Sequence, residues 1–178
     1  MKQLLQNFLD MIMLRKGADA IPFSWLVFVF SLGLLLISSS GVLFLIDNPP
    51  NQRPWVNFLG YFFGISFYGA ILIVYGFVGR VLQTISAIIA CGSLITIMFV
   101  LEFILFAPFI GINLAGLLAS FIMLWSVPVE GHLISTAIEK SRFFGIIIAI
   151  IALLLQFMFQ AYMLNYLEYY LKLQNQLR

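Results

Sequence analysis

The chain has 178 residues, of which 63% are hydrophobic and 9% are charged, and its mean hydropathy is +1.09. About a quarter of the residues of an ordinary globular domain carry a charge, so this composition excludes a water-soluble domain. The net charge of +2 is too small and too scattered for a nucleic-acid-binding surface, and no nucleic-acid partner is expected.

Five continuous apolar stretches predict five transmembrane helices. A helix needs about 20 residues to cross a hydrocarbon core of about 30 Å, whereas barrel strands would alternate apolar and polar residues. The predicted fold class is therefore all-α, a polytopic transmembrane bundle of five helices preceded by a short N-terminal amphipathic helix. The transmembrane domain is expected at 21–167, with helices at about 21–46, 55–78, 81–107, 111–139 and 141–167.

Residues 1–20 are predicted to form the amphipathic helix and a linker. Apolar residues recur at helical spacing on one face, and polar residues take the other face. The apolar face comprises Leu4, Leu5, Phe8, Met11 and Ile12. Such a helix lies in the membrane interface or docks onto a partner subunit, and the interface is the preferred interpretation. The first apolar stretch is longer than a signal-peptide core, so we interpret it as retained.

Prolines, glycines and charges separate the apolar stretches. Gly79-Arg80 divides the second from the third, and Pro108 with Gly111 divides the third from the fourth, so these neighbours should be antiparallel. Pro128 predicts a kink in the fourth helix. Residues 168–178 are predicted to extend the fifth helix as a polar C-terminal segment.

The distribution of positive charges predicts the orientation. Six Lys and Arg residues fall on one side of the five-span arrangement (Lys2, Arg15, Lys16, Arg80, Lys140, Arg142), and three fall on the other (Arg53, Lys172, Arg178). The positive-inside rule places the N-terminus in the cytoplasm and the C-terminus outside.

Small residues at four-residue spacing predict where helices approach closely, because packing drives helix association in lipid. The pairs are Gly60 and Gly64, Ala115 and Ala119, Gly116 and Ser120, and Gly145 and Ala149. Their recurrence favours a compact bundle. The single cysteine, Cys91, lies within the third apolar stretch and is interpreted as a small packing residue.

Glu102 and Asn113 form the first candidate polar cluster. They lie at matching distances before and after the turn at Ala107-Pro108, so both should sit at one depth near the outer interface. A hydrogen-bonded structural pair is the preferred interpretation, and a proton or ion ligand is the alternative.

Glu130 and His132 form the second cluster, near the cytoplasmic interface together with Arg80. A solvated ion-pair network is expected, with Glu130 paired to Arg80, and His132 leaves a pH-sensitive role open. A metal site or a catalytic site would need ligand-type partners at helical spacing, and the chain has one histidine. No catalytic residue, metal or cofactor is predicted.

The second half of the chain resembles the Ypt-interacting-protein (Yip) family. The resemblance rests on Trp125, Gly131-His132, Ser135 and Lys140, followed by the apolar run 143–155, and on the entry to the first helix at 15–24. It implies a five-helix membrane protein with a cytoplasmic N-terminus, in a family whose eukaryotic members bind prenylated small GTPases. No functional residue carries over, and we expect a bacterial inner-membrane protein.

Two functions follow as hypotheses. The first is a non-enzymatic scaffold or accessory subunit that organises a membrane protein complex or local lipid. Membrane lipid and other membrane subunits, or a second copy of the chain, would be its partners. The alternative is a small transporter or channel component that uses Glu102 and Asn113.

Overall fold

The computed structural model describes residues 2–45 and 54–176. These residues form seven α-helices and two short 3₁₀ turns, at Ala18–Ala20 and Val78–Arg80. The α-helices are α1 (Lys2–Ile12), α2 (Trp25–Leu45), α3 (Pro54–Val74), α4 (Val81–Ile110), α5 (Ile112–Leu124), α6 (Ser126–Ala137) and α7 (Arg142–Gln176). The predicted all-α class is confirmed.

Five segments are long and apolar enough to cross a membrane: Trp25–Leu45, Trp55–Val74, Val78–Ile110, Ile112–Ala137 and Arg142–Leu167. Their outer surface is covered with large apolar side chains, such as Leu36, Phe121 and Phe157, which are all more than half exposed. Such a surface is suited to lipid and not to water. The protein is a multi-pass membrane protein built as a five-helix apolar bundle.

The ends of the spans differ from the predicted bounds for local reasons. The first begins at Trp25 because the chain around Pro22 is not helical. The third runs on through Pro108 to Ile110, so Pro108 lies inside the helix and only two helical residues follow it. Gly111 then ends it with a φ of 84°, a left-handed conformation that glycine adopts readily.

Helix α4 is the centre of the bundle. It packs against α1, α2, α3, α5 and α6, while α7 packs against α3 and α6. Its buried face carries small side chains, which let several neighbours approach the same stretch of backbone. These residues are Thr84, Ser86, Ala87, Ala90, Cys91 and Ser93.

The apolar face of α1 packs on the bundle of its own chain. Phe8 and Met11 are fully buried and Ile12 nearly so, in contact with α4 and α6. The amphipathic pattern therefore marks a helix whose apolar face is covered by protein at Phe8, Met11 and Ile12, while Leu5 remains exposed. Its placement at the membrane interface stays a prediction.

Candidate functional site

The site begins with a carboxylate inside the fourth span. Glu130 lies on α6, and its Oε2 accepts a hydrogen bond from the Tyr68 hydroxyl of α3 at 2.7 Å. Tyr68 is buried, with 3% of its surface exposed, and Glu130 is half-buried. Seven residues separate Glu130 from Ala137, where the span ends, and this corresponds to about 10 Å of helix. The carboxylate therefore lies well inside the span.

Further polar groups surround this pair. Tyr61 precedes Tyr68 by seven residues, so both project from one face of α3. The Tyr61 hydroxyl is buried without a hydrogen-bond partner among the described residues, and a Cβ on Gly92 would lie 3.5 Å from it.

The break between α5 and α6 sets the direction of α6. Pro128 has no N–H to donate, and its ring crowds the carbonyl of the residue four positions earlier, which is Leu124. Helix α5 ends at Leu124, and α6 begins at Ser126. The predicted kink at Pro128 is thus a break one turn earlier. It lies only a few residues before Glu130.

Helix α1 covers this part of the bundle. The Trp125 indole, which lies at the break, donates to the Ile12 carbonyl at 3.0 Å. The Cys91 thiol points to the Phe8 carbonyl, 3.8 Å away. The two contacts attach α1 to Trp125 and to the buried face of α4.

Arg80 does not pair with Glu130, and this corrects the predicted ion pair. Its guanidinium forms a salt bridge with Glu139 at 2.8 Å, donates to the Ala137 carbonyl at 3.0 Å and lies over the Phe77 ring. Arg80 therefore binds the C-terminal end of α6. A cation is favourable there because it interacts with the free carbonyls and with the negative end of the helix dipole. Glu130 lies too deep in the span to reach this cluster.

His132 is not part of a solvated network either. It is 5% exposed, and neither ring nitrogen has a hydrogen-bond partner within the described part of the chain. Asp19 and Arg142 are the charged side chains close to it. No three His, Cys, Asp or Glu side chains within residues 2–45 and 54–176 lie close enough together to hold a metal ion.

The structure also corrects the predicted pair of Glu102 and Asn113. Both carboxylate oxygens of Glu102 are buried without a hydrogen-bond partner among the described residues, whereas Asn113 is exposed. Two residues at equal distances from a turn lie at the same depth, but they need not lie on the sides of the two helices that face each other. Glu102 is therefore not hydrogen-bonded to Asn113.

Three of the four predicted small-residue pairs lie at helix contacts. Gly60 and Gly64 on α3 face Gln160 and Gln156 on α7, and a Cβ on Gly145 would run into the Gly131 carbonyl of α6. Ala115, Ala119 and Ala149 are buried. Gly116 and Ser120 differ: a Cβ on Gly116 would meet nothing within 4 Å, and Ser120 is exposed.

Sequence reasoning missed the tyrosines of this site and the glutamines of α7. A signal existed, because Tyr61 and Tyr68 are polar residues seven apart in an otherwise apolar helix, and Gln156 and Gln160 are polar residues four apart in another. Each spacing places both residues on one face of a helix, and that face packs against protein.

The fold and the site together define a polytopic membrane protein with a polar group enclosed among α3, α4 and α6. No protein-family model matches the chain, and neither a curated protein nor a solved structure does so.

Proposed function

We propose that the protein is a small transporter or channel component in which Glu130 takes up and releases a proton inside the bundle. The observation that supports this proposal is the hydrogen bond from Tyr68 to the Glu130 carboxylate within the span. A charged side chain at the centre of a membrane helix costs about 2.5–3.5 kcal/mol on insertion scales. A carboxyl group that alternates between neutral and charged forms meets that cost in only one of its states.

The helix break beside Glu130 is a second support. Transporters often form binding sites where a membrane helix is interrupted. The interruption in this span is one residue long, because Trp125 keeps helical dihedral angles and donates its N–H to the Phe121 carbonyl. Here α5 and α6 meet at Trp125, between the apolar outer half of the span and the half that carries Glu130.

Infrared difference spectroscopy tests proton binding without knowledge of a transported substrate. The full chain in lipid vesicles is taken through a pH step, and the protonated carboxyl band is followed in H₂O and D₂O. We expect a band that Glu130→Gln removes and that Tyr68→Phe shifts, because Tyr68 binds the same carboxylate. Glu139→Gln is the matched control, since Glu139 is exposed at the end of the bundle. An unchanged band in Glu130→Gln would refute the site.

Proton flux tests the transport step separately. Vesicles that contain the protein and a pH-sensitive dye are given a potassium diffusion potential. We expect proton entry that falls by about tenfold or more in Glu130→Gln, as for loss of an essential acid–base group, and stays unchanged in Glu139→Gln. A carboxyl band without flux would leave Glu130 as a proton-binding residue and would contradict transport.

The scaffold or accessory role is a second candidate, and the outward face of α5 favours it. Gly116 and Ser120 lie in a shallow depression with Leu117, Phe121 and Leu124, on a side that no other helix of the described chain covers. The resemblance to the Yip family also supports this role. Gly116→Leu should abolish cross-linking between copies, or to a partner subunit, if this face is an interface. Gly33→Leu is the matched control, because Gly33 is equally open.

We place this non-enzymatic protein in a bacterial inner membrane, with its N-terminus in the cytoplasm and its C-terminus outside. The excess of Lys and Arg on the N-terminal side supports this orientation. Fluorescent-protein and phosphatase fusions at the two termini test it. Activity of the same reporter at both ends would contradict an odd number of crossings.

A further inference from the structure

A lateral groove separates α2 from α3. Both helices pack against α4 but hardly touch each other, and the gap between them is a cavity of about 480 Å³. Its walls are almost entirely apolar and aromatic. They include Phe28 and Leu32 of α2, Phe58 and Tyr61 of α3, and Leu82 and Ile85 of α4.

The dimensions of the groove fit a single acyl chain. Along α4 and the turn before it, the groove extends from Val78 to Ile89, about 16 Å of helix. On α3 the lining begins at Phe58, which is about 24 Å from the end of that helix at Val74, so the groove reaches past the middle of a hydrocarbon core of about 30 Å. The groove is therefore elongated along the helices, as an extended acyl chain requires.

The chemistry of the walls excludes water and favours hydrocarbon. A buried water needs two to four polar partners. The Ser66 hydroxyl already donates to the Phe62 carbonyl, and the Tyr61 hydroxyl is a single buried group, too few for a bound water. If the groove stayed empty, its walls would lose their dispersion contacts on one side. Since its open side faces the bilayer, a lipid chain can enter from the side.

We propose that this groove is a binding site for one acyl chain of a membrane phospholipid. The chain lies between α2 and α3 and replaces the direct contact that these helices lack. It also packs on the ring of Tyr61, which lies on the same face of α3 as Tyr68, the hydrogen-bond partner of Glu130. The groove does not depend on the proposed transport function.

Photo-crosslinking of a retained lipid tests the proposal. The full chain is reconstituted with phosphatidylethanolamine that carries a diazirine on one acyl chain, extracted in mild detergent, washed and then irradiated. Lipids at the outer surface wash away, so we expect label on Leu82 and Ile85 at about tenfold or more above Leu117, which is exposed on α5. Even labelling of the two surfaces would overturn the site.

Variants that fill the groove provide a second test of the proposal. Leu32→Trp and Leu82→Trp place a large ring in the groove from two different helices. Each should reduce the retained label by about tenfold, which corresponds to about 1.4 kcal/mol. Leu36→Trp is the matched control, because Leu36 lies one turn further along α2 and is exposed. Unchanged label in both filled variants, with the helical circular dichroism intact, would refute the proposal. A diazirine fatty acid that labels the groove equally well would contradict a phospholipid occupant.

Discussion

The two halves of the fourth span, α5 and α6, differ in which of their residues are buried. In α5, Ala115 and Ala119 are the buried residues, and large side chains such as Leu117 and Phe121 are more than half exposed. In α6, seven of twelve residues are buried, among them His132 and Ser135. The more polar half is the buried half.

This contrast shows which property decides whether a residue is buried or exposed when lipid is the outer solvent. Apolar side chains gain little from leaving lipid for protein, so hydrophobicity does not decide which face of a helix is buried. Polar groups must find partners, and only the interior of the bundle offers them. Helix α6 carries Glu130, which binds Tyr68 of α3, and it packs against α4 and α7, while α5 contacts mainly α4.

The largest effect that tests this comparison comes from one added methyl group in each half. A Cβ on Gly131 of α6 would lie 2.7 Å from the Ile146 Cα of α7, and backbone cannot move aside as a side chain does. Gly131→Ala should therefore destabilise the bundle by about 3 kcal/mol, at the upper end of typical overpacking costs. Equilibrium unfolding by SDS in mixed micelles measures the change.

Gly116→Ala on α5 is the matched control, because nothing lies within 4 Å of that position. It should be neutral or slightly stabilising, since alanine is favoured over glycine in a helix by about 1 kcal/mol. Similar losses in the two variants would remove the distinction between the halves.

Truncation of one leucine in each half is a second test of the difference in burial between α5 and α6. Leu133 of α6 is fully buried, and Leu117 of α5 is 53% exposed. Leu133→Ala should lower the free energy of unfolding by about 2 kcal/mol, the low end of the values for soluble cores. The substitution leaves a cavity as it does there, but in lipid the lost side chain no longer contributes a free energy of transfer from water. Leu117→Ala should change stability by less than about 0.5 kcal/mol. The same unfolding assay reports both, and a larger loss for Leu117→Ala would reverse the assignment of α5 to lipid.

Much of the fold follows from hydropathy, because a span needs only enough consecutive apolar residues. The five crossings, their order and the tight turns at Gly79-Arg80 and Gly111 could all be predicted on that basis. The partners of the polar residues could not. Glu130 pairs with Tyr68 and Arg80 pairs with Glu139, because partners across helices depend on rotation about each helix axis.

The small-residue pairs show the same limit. Gly60 with Gly64 and Gly116 with Ser120 have identical spacing, but the first pair lies against the glutamines of α7 and the second faces outward. Four-residue spacing places a shallow surface on one side of a helix. It does not say whether protein or lipid covers that surface.

The smallest effect concerns the junction between the two halves, where α1 is attached. Trp125→Phe keeps the ring but removes the indole N–H that donates to the Ile12 carbonyl. Hydrogen bonds of this kind in membrane proteins contribute about 0.6 kcal/mol on average. Opening of α1 should therefore become about threefold more frequent. Amide hydrogen exchange in α1 measures this change, and global stability should hardly move.

Trp25→Phe is the control for this junction, because the Trp25 indole is 66% exposed and donates no hydrogen bond within the described residues. Exchange in α1 should then stay at the wild-type rate. The test also separates two ways of attaching α1. If Phe8 and Met11 hold it by packing alone, Trp125→Phe will leave its exchange unchanged, and the break between α5 and α6 will not anchor α1. If exchange rises in α1 alone, the residue that joins α5 to α6 also holds α1 in place.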